Sequence, residues 1–119
     1  MDSHLKKGQQ AEQLACEYLE KEGLHLVQKN YRCPMGEIDL IMKDNGMLVF
    51  VEVRYRKNTK YGSGAETVTG RKQQKLLSTA MHYLQRHAKS TQTCRFDVVS
   101  MTNETNTDKI QWLQDAFQA

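Results

Sequence analysis

A single hairpin signal constrains the fold of this chain more than any other feature. Within residues 36–54, two apolar runs lie on either side of the dipeptide Asn45-Gly46, and Asn-Gly between such runs is the strongest short-range indication of a β-hairpin. If these two residues form the loop, counting outward places Asp39 directly opposite Glu52. Opposed residues have Cβ atoms about 4.5–5.5 Å apart, so the two carboxylates are close enough to hold one divalent cation.

The same count predicts a polar face on this hairpin. Glu37 falls opposite Arg54, and because side chains alternate along a strand, both share a face with Asp39 and Glu52. Opposed carboxylates repel each other and destabilise a hairpin unless something neutralises them, which a metal ion would do. The alternative is a surface hairpin with cross-strand charge pairs, such as Glu37 with Arg54. On chemistry alone the two interpretations are equally good.

The spacing of these residues suits phosphodiester hydrolysis. Asp39 and Glu52 supply the oxygen ligands that Mg²⁺ or Mn²⁺ prefers. A bound metal lowers the pKa of a coordinated water, which can then act as the nucleophile. Arg54 lies two residues after Glu52 on the same strand face, where it would orient that water or stabilise negative charge in the transition state.

Composition indicates one folded domain without a membrane segment. The chain has 119 residues, 39% of them hydrophobic, and a single Pro, which favours one globular domain over residues 1–119. No apolar run approaches the ~20 residues that a membrane span needs, and the N-terminus lacks the apolar segment of a secretory signal. We therefore expect a cytoplasmic protein whose scattered cysteines, Cys16, Cys33 and Cys94, are reduced thiols.

The distribution of charge says more about partners than the total. A net charge of +3 is weaker than that of a dedicated DNA-binding domain, but residues 54–75 carry seven cations against the single acid Glu66. Such a belt beside an acidic pair can neutralise phosphates, although a solvated loop and helix face would look the same. The cations expected to bind DNA are Arg56, Lys57, Lys60, Arg71 and Lys72.

Hydrophobic periodicity predicts alternating helices and strands. In chain order, it indicates a helix over about 5–22, a strand over 24–31, the hairpin, a loop over 57–69, a helix from 69 or 70 to about 89, and strands over 94–101 and 109–113. This order predicts an α/β domain in which helices cover the faces of a mixed sheet.

The hairpin strands also carry a resemblance to a known family. Residues 36–41, GEIDLI, and residues 49–54, VFVEVR, resemble the YraN family of small bacterial proteins, which in turn resembles archaeal Holliday-junction resolvases among the PD-(D/E)XK nucleases. The resemblance implies a restriction-endonuclease-like fold, with a mixed β-sheet, a central hairpin and flanking helices. The likeness covers nearly the whole chain and includes Gly8, Glu12, Asn30-Tyr31-Arg32, Gly62, Lys72, residues 95–98 and Ala116-Phe117.

The resemblance implies functional roles for individual residues. Asp39 and Glu52 match the metal-binding acids of these nucleases. Glu12 matches the acid that resolvase-like relatives add from the first helix, and Glu37 is an auxiliary acid. Arg54 departs from the family, which usually has Lys there. Arg does not release its proton near neutrality and its planar fork differs from a compact ammonium, but it still stabilises anionic charge.

Taken with this resemblance, the sequence predicts a metal-dependent endonuclease that hydrolyses DNA, branched or damaged DNA included. The catalytic residues would be Asp39, Glu52, Arg54 and Glu12, with Mg²⁺ or Mn²⁺ as the cofactor. Because junction resolution normally needs two active sites, the resemblance also implies a homodimer. Two other classes fit the same residues: a non-catalytic nucleic-acid-binding or scaffolding protein that keeps the fold, and a protein-interaction module whose hairpin acids pair with cations of a partner.

Overall fold

The computed structural model describes residues 3–56, 68–87, 92–104 and 107–118. Its elements follow the predicted order of helix, strand, hairpin, helix, strand and strand. They are α1 (Ser3–Lys21), β1 (His25–Cys33), β2 (Gly36–Asp44), β3 (Met47–Arg56), α2 (Gly70–His87), β4 (Cys94–Glu104) and β5 (Thr107–Phe117).

The five strands form one mixed sheet in the order β1-β2-β3-β4-β5. Neighbouring strands are antiparallel except β3 and β4, which run parallel. A parallel pair needs a crossover connection, and α2 lies within the segment that joins β3 to β4. The predicted α/β class, with a mixed sheet and flanking helices, is confirmed.

The two faces of the sheet carry separate hydrophobic cores because successive strand residues point to opposite sides. On β3, Val49 and Val51 belong to the core that includes Ala15 and Leu19 of α1. Leu48 and Phe50 alternate with them and belong to the core formed with α2. Members of the α2 core include Leu76, Ala80 and Tyr83 from the helix and Phe96 and Val98 from β4.

The central hairpin has the predicted two-residue loop. Asn45 and Gly46 have φ angles of 51° and 87°, and positive φ at both central residues is typical of the tight turns whose twist matches that of the flanking strands. The register runs from Asp44↔Met47 to Leu40↔Val51. The counting that places Asp39 opposite Glu52 therefore starts from the correct register.

Several strands are longer than predicted. β1 ends at Cys33 rather than at residue 31, and β4 continues to Glu104 rather than 101. β5 spans Thr107–Phe117 rather than residues 109–113. The added residues include polar ones that β4 and β5 pair with each other, so ladder hydrogen bonds outweigh the turn-like composition that suggested a loop. The predicted last turn of α2, residues 88–89, lies outside the described residues.

Two predictions about the chain's environment can be compared with the structure. Cys16 is buried, Cys33 half-buried and Cys94 exposed, and all are free thiols, as predicted. Within the described ranges, neither helix combines the length and apolar character needed to cross a bilayer.

Candidate functional site

The centre of the candidate site is a pair of carboxylates where the β2–β3 ladder ends. The last residue pair of the ladder is Leu40↔Val51, and Asp39 and Glu52 are the next residue outward on each strand. Here Asp39 Oδ2 accepts a hydrogen bond of 2.8 Å from the backbone N–H of Val53. A side chain thus satisfies the donor at the end of the ladder, and this bond holds the Asp39 carboxylate beside β3.

A local interruption of the side-chain alternation places Asp39 at the end of the β2–β3 ladder. Lys29 donates to Gln13 of α1, whereas Tyr31, two residues later, contacts His82 of α2. Residues i and i+2 of a regular strand lie on one face, so the backbone must turn over at Asn30, whose φ is 51°. Asn is one of the few residues that adopt such a conformation readily.

The same break affects β2, since Asn30 and Asp39 lie between the paired positions Lys29↔Leu40 and Tyr31↔Ile38. Ile38 belongs to the α2 core and Leu40 to the α1 core. Strict alternation therefore fails at Asp39. The prediction that all four polar residues of the hairpin occupy one regular face was too simple for this reason.

Glu37 shows the consequence of this break. Its carboxylate forms an exposed ion pair with Arg32 Nε at 3.0 Å, and these two residues are directly opposed on β1 and β2. Within the described residues, Glu37 thus pairs with Arg32 rather than with Arg54, the partner that the surface-hairpin alternative suggested. The negative charge of Glu37 still reaches the site, because it raises the pKa of Asp39 and of Glu12.

Burial raises the free energy needed to ionise the carboxyl groups of Asp39 and Glu52. Glu52 is only 6% exposed, and its pKa is raised to about 7, first by burial and then by the negative charge of Asp39. Burial also raises the pKa of Asp39, while the hydrogen bond from Val53 opposes that shift. Desolvation and like charge both disfavour the ionised carboxylate, so a bound cation would relieve both.

Helix α1 carries Glu12, the acid to which the family resemblance gives a role in the site. The pKa of Glu12 is raised to about 6, first by burial and then by the negative charges of Asp39 and Glu37. The cations Arg32 and Lys29 oppose this shift. Glu12 therefore interacts electrostatically with Asp39, although it comes from a different layer of the fold.

The donor set fits a hard divalent cation that keeps much of its water. Across the described residues, no group of three or more Asp, Glu, His or Cys side chains is arranged to hold a metal, so the site is a pair of carboxylates rather than a closed cage. Mg²⁺ commonly binds proteins through one or two carboxylates and retains several waters. Asp39 and Glu52 offer that kind of site.

Two cations approach Glu52 from different elements. Lys72 Nζ of α2 lies 3.4 Å from Glu52 Oε1, and Arg54 Nη1 of β3 lies 4.0 Å from the same oxygen. Among the charges that lower the pKa of Glu52, that of Lys72 acts more strongly than that of Arg54. The side chain of Lys72 is 40% exposed and that of Arg54 28% exposed.

The start of α2 is fixed by a local capping arrangement. Thr69 Oγ1 accepts a 3.2 Å hydrogen bond from the backbone N–H of Lys72, which is the usual role of a helix N-cap residue. The Gln73 side chain donates to the backbone carbonyl of Val68 at 3.0 Å, and Val68 itself is buried in the α2 core. The first turn of the helix, with Lys72 in it, is therefore anchored to the sheet.

The residues predicted to bind nucleic acid are described only in part. Arg71 is exposed in the first turn of α2, next to Lys72. Arg56 is the last residue of β3, and its side chain is not described. Lys57 and Lys60 lie outside the described residues. The structure thus brings Lys72 to the acid pair and leaves Arg71 on the surface beside it.

Sequence reasoning missed the contact between Lys72 and Glu52, since it placed Lys72 only among cations for DNA phosphates. One signal was available. The first turn of α2 contains no acidic residue, and a Lys there opposes the helix dipole. An unfavourable cation at a helix start indicates a nearby anion, but the pattern alone does not identify which one.

Comparison with known proteins gives a consistent result. The family model described as "Uncharacterised protein family UPF0102" matches residues 11–101. A UPF0102 protein of Nitrosococcus oceani is 52% identical over 117 residues, which cover 98% of this chain and 94% of the relative. A UPF0102 protein of Pseudomonas fluorescens is 46% identical over 118 residues, covering 98% and 97%. One of Aeromonas hydrophila is 49% identical over 113 residues, covering 93% and 84%.

Proposed function

The chain belongs to the UPF0102 family, which is the YraN family that the hairpin motif indicated, and we propose that it is a metal-dependent endonuclease that hydrolyses phosphodiester bonds in DNA. The observation that carries this proposal is the acid pair of half-buried Asp39 and buried Glu52, with two cations beside it. Perturbed pKa values of this kind cluster at functional sites. Branched and damaged DNA are included among the proposed substrates.

The metal chemistry is assigned to the acid pair. Asp39 and Glu52 would hold Mg²⁺ or Mn²⁺, and the bound ion would polarise a phosphoryl oxygen and lower the pKa of a coordinated water. Burial around Glu52, which is 6% exposed, limits competing water and strengthens each electrostatic interaction in the site.

The protein's own residues orient the reactants. The Val53 N–H holds Asp39 Oδ2 at 2.8 Å and so fixes the direction of that carboxylate. Arg54 and Lys72 place positive charge next to Glu52, where they attract a phosphate and stabilise negative charge that develops during hydrolysis. Arg71 at the exposed start of α2 extends this positive region along a bound strand.

Glu12 is proposed as a proton-carrying group of the site. With its pKa raised to about 6, its carboxyl group exchanges a proton close to neutral pH, whereas an ordinary Glu is ionised there. A general acid or base works best when its pKa lies near the operating pH. Glu12 would therefore hold or release a proton at its carboxylate oxygens during cleavage.

Purified protein, matched variants and three DNA substrates test the proposal. We expect cleavage of plasmid, single-stranded or four-way-junction DNA with Mn²⁺ or Mg²⁺, and a loss of at least about 100-fold in Asp39→Ala and Glu52→Gln, as for removal of a principal electrostatic group. Calorimetry should show Mn²⁺ binding that Asp39→Ala abolishes. Cleavage that persists in both variants would come from a contaminating nuclease and would overturn the proposal.

A non-catalytic role is the second candidate, and the position of Arg54 favours it. A guanidinium is not equivalent to a compact ammonium, and the family that the hairpin motif resembles usually has Lys at position 54. The non-catalytic candidate predicts metal-dependent DNA binding without cleavage. The homodimer implied by the resemblance is a separate proposal, which sedimentation with and without a four-way junction tests directly.

A further inference from the structure

We propose that Lys72 of α2, rather than Arg54 of β3, is the cation that contacts the phosphate group at the acid pair. This inference rests on the proposed function, because the phosphate is that of a DNA strand bound beside Asp39 and Glu52. The positively charged group that binds the phosphate would then come from helix α2, 20 positions after Glu52 in the chain, and not from β3, the strand that carries Glu52.

The distances favour Lys72. Its Nζ is 3.4 Å from Glu52 Oε1, while the nearest guanidinium nitrogen of Arg54 is 4.0 Å from that oxygen. Both cations therefore reach Glu52, but the ammonium lies closer. The Lys72 side chain also has the larger exposed fraction, 40% against 28%, so it is the more accessible of the two cations to a phosphate from solvent.

The chemistry of the two groups points the same way. An ammonium is a compact charge with three donor hydrogens, so an ion pair with one carboxylate oxygen does not use all of them. A guanidinium is planar and directs its donors in one fixed fork. Lys72 can keep its contact with Glu52 and turn a second donor towards a phosphate oxygen.

The backbone around Lys72 is organised for such a role. Thr69 caps the Lys72 N–H, and Val68, the residue before Thr69, is buried in the α2 core, so the start of the helix is packed against the sheet. A cation in the first helical turn costs some stability against the helix dipole. Glu52 offsets that cost in the free protein, and a phosphate at the helix N-terminus would add to the offset.

The test measures DNA binding apart from cleavage. A four-way junction is titrated with protein by fluorescence anisotropy at several salt concentrations, without divalent cation, for the wild type and Lys72→Ala, Lys72→Arg and Arg54→Ala. Lys75→Ala is the matched control, because Lys75 is an exposed lysine one turn further along α2. Loss of one phosphate contact reduces the slope of log affinity against log salt by about 1.

We expect this reduction in Lys72→Ala, partial recovery in Lys72→Arg, and a smaller change in Arg54→Ala and in the Lys75 control. The same series is repeated on a Glu52→Gln background to separate two roles. If Lys72 contacts phosphate, the effect of Lys72→Ala persists when Glu52 carries no charge. If Lys72 only neutralises Glu52, the effect disappears, and the inference is overturned.

Cleavage provides an independent readout. With Mn²⁺, the single-turnover rate should fall by about 100-fold in Lys72→Ala, as for loss of a principal electrostatic group, and by less in Arg54→Ala. A larger loss in Arg54→Ala in both binding and cleavage would contradict the inference. If the wild type binds DNA through Lys72 but never cleaves it, the proposed nuclease activity fails and the assignment of the phosphate contact stands.

Discussion

The acid pair of β2 and β3 and the buried Asp97 of β4 are both carboxylate sites inside the sheet, but they are satisfied differently. Asp97 is fully buried and accepts hydrogen bonds from Trp112 Nε1 at 2.9 Å, from the Asp115 backbone N–H at 2.9 Å, and from Arg95 Nε at 3.1 and 3.2 Å. Two of these donors, Trp112 and Asp115, lie on β5 and so link it to β4.

Among the described residues, the acid pair has fewer donors. One backbone N–H binds Asp39, and the two cations near Glu52 lie at 3.4 and 4.0 Å, beyond the length of a strong charge-assisted hydrogen bond. A carboxylate with a full set of donors is stable by itself and holds the structure together. A buried pair with few donors gains most from an added cation, and this difference separates a structural site from a candidate functional one.

The largest expected effect comes from removing the charge of Asp97. In Asp97→Asn the Arg95 guanidinium loses its main partner, and the new amide group faces other donors at Trp112 and Asp115. Breaking a buried charge pair typically costs about 3–5 kcal/mol. Urea unfolding should therefore show a loss of that size. Asp44→Asn is the control, because Asp44 pairs with the same guanidinium at 3.1 Å but its side chain is 29% exposed.

At Glu52, by contrast, we expect that removing the charge stabilises the folded protein. Between pH about 4.5 and about 7, the folded protein binds more protons at Glu52 than the unfolded chain does, so its stability falls as pH rises through that window. Glu52→Gln removes this loss. Because the pKa of Glu52 is raised from 4.5 to about 7 and each pKa unit is equivalent to about 1.4 kcal/mol, the variant should be more stable than the wild type by roughly 3 kcal/mol at pH 8. A less stable variant, measured by thermal unfolding from pH 4 to 8, would show that the pair is structural like Asp97.

The smallest effect is expected for the exposed pair of Arg32 and Glu37. These side chains are 74% and 53% exposed, and surface ion pairs contribute about 0–1 kcal/mol. Glu37→Gln should therefore leave unfolding almost unchanged. If Glu37 is an auxiliary acid, the same variant weakens Mn²⁺ binding in calorimetry, because it removes a negative charge that acts on Asp39 and would attract the cation. Unchanged metal affinity would exclude that auxiliary role.

Most of the acid pair could be predicted because its determinants are local. The Asn45-Gly46 turn sets the register of the hairpin, and register together with alternation brings Asp39 opposite Glu52. The prediction for Glu37 failed because the alternation of side chains is interrupted at Asn30. This residue lies on β1, the strand that pairs with β2. The residue type shows that Asn30 can adopt a positive φ, but whether it does so depends on the strands that pack around it.

The sequence by itself determined the order of elements, the hairpin register and the two acids, since these follow from turn chemistry and the two-residue period of a strand. Only the tertiary structure decided which charges meet them. Lys72 reaches Glu52 because α2 packs on one face of the sheet, and Glu12 reaches Asp39 because α1 packs on the other. Such contacts depend on how layers dock, and docking is set by the shapes of two hydrophobic cores rather than by any local pattern.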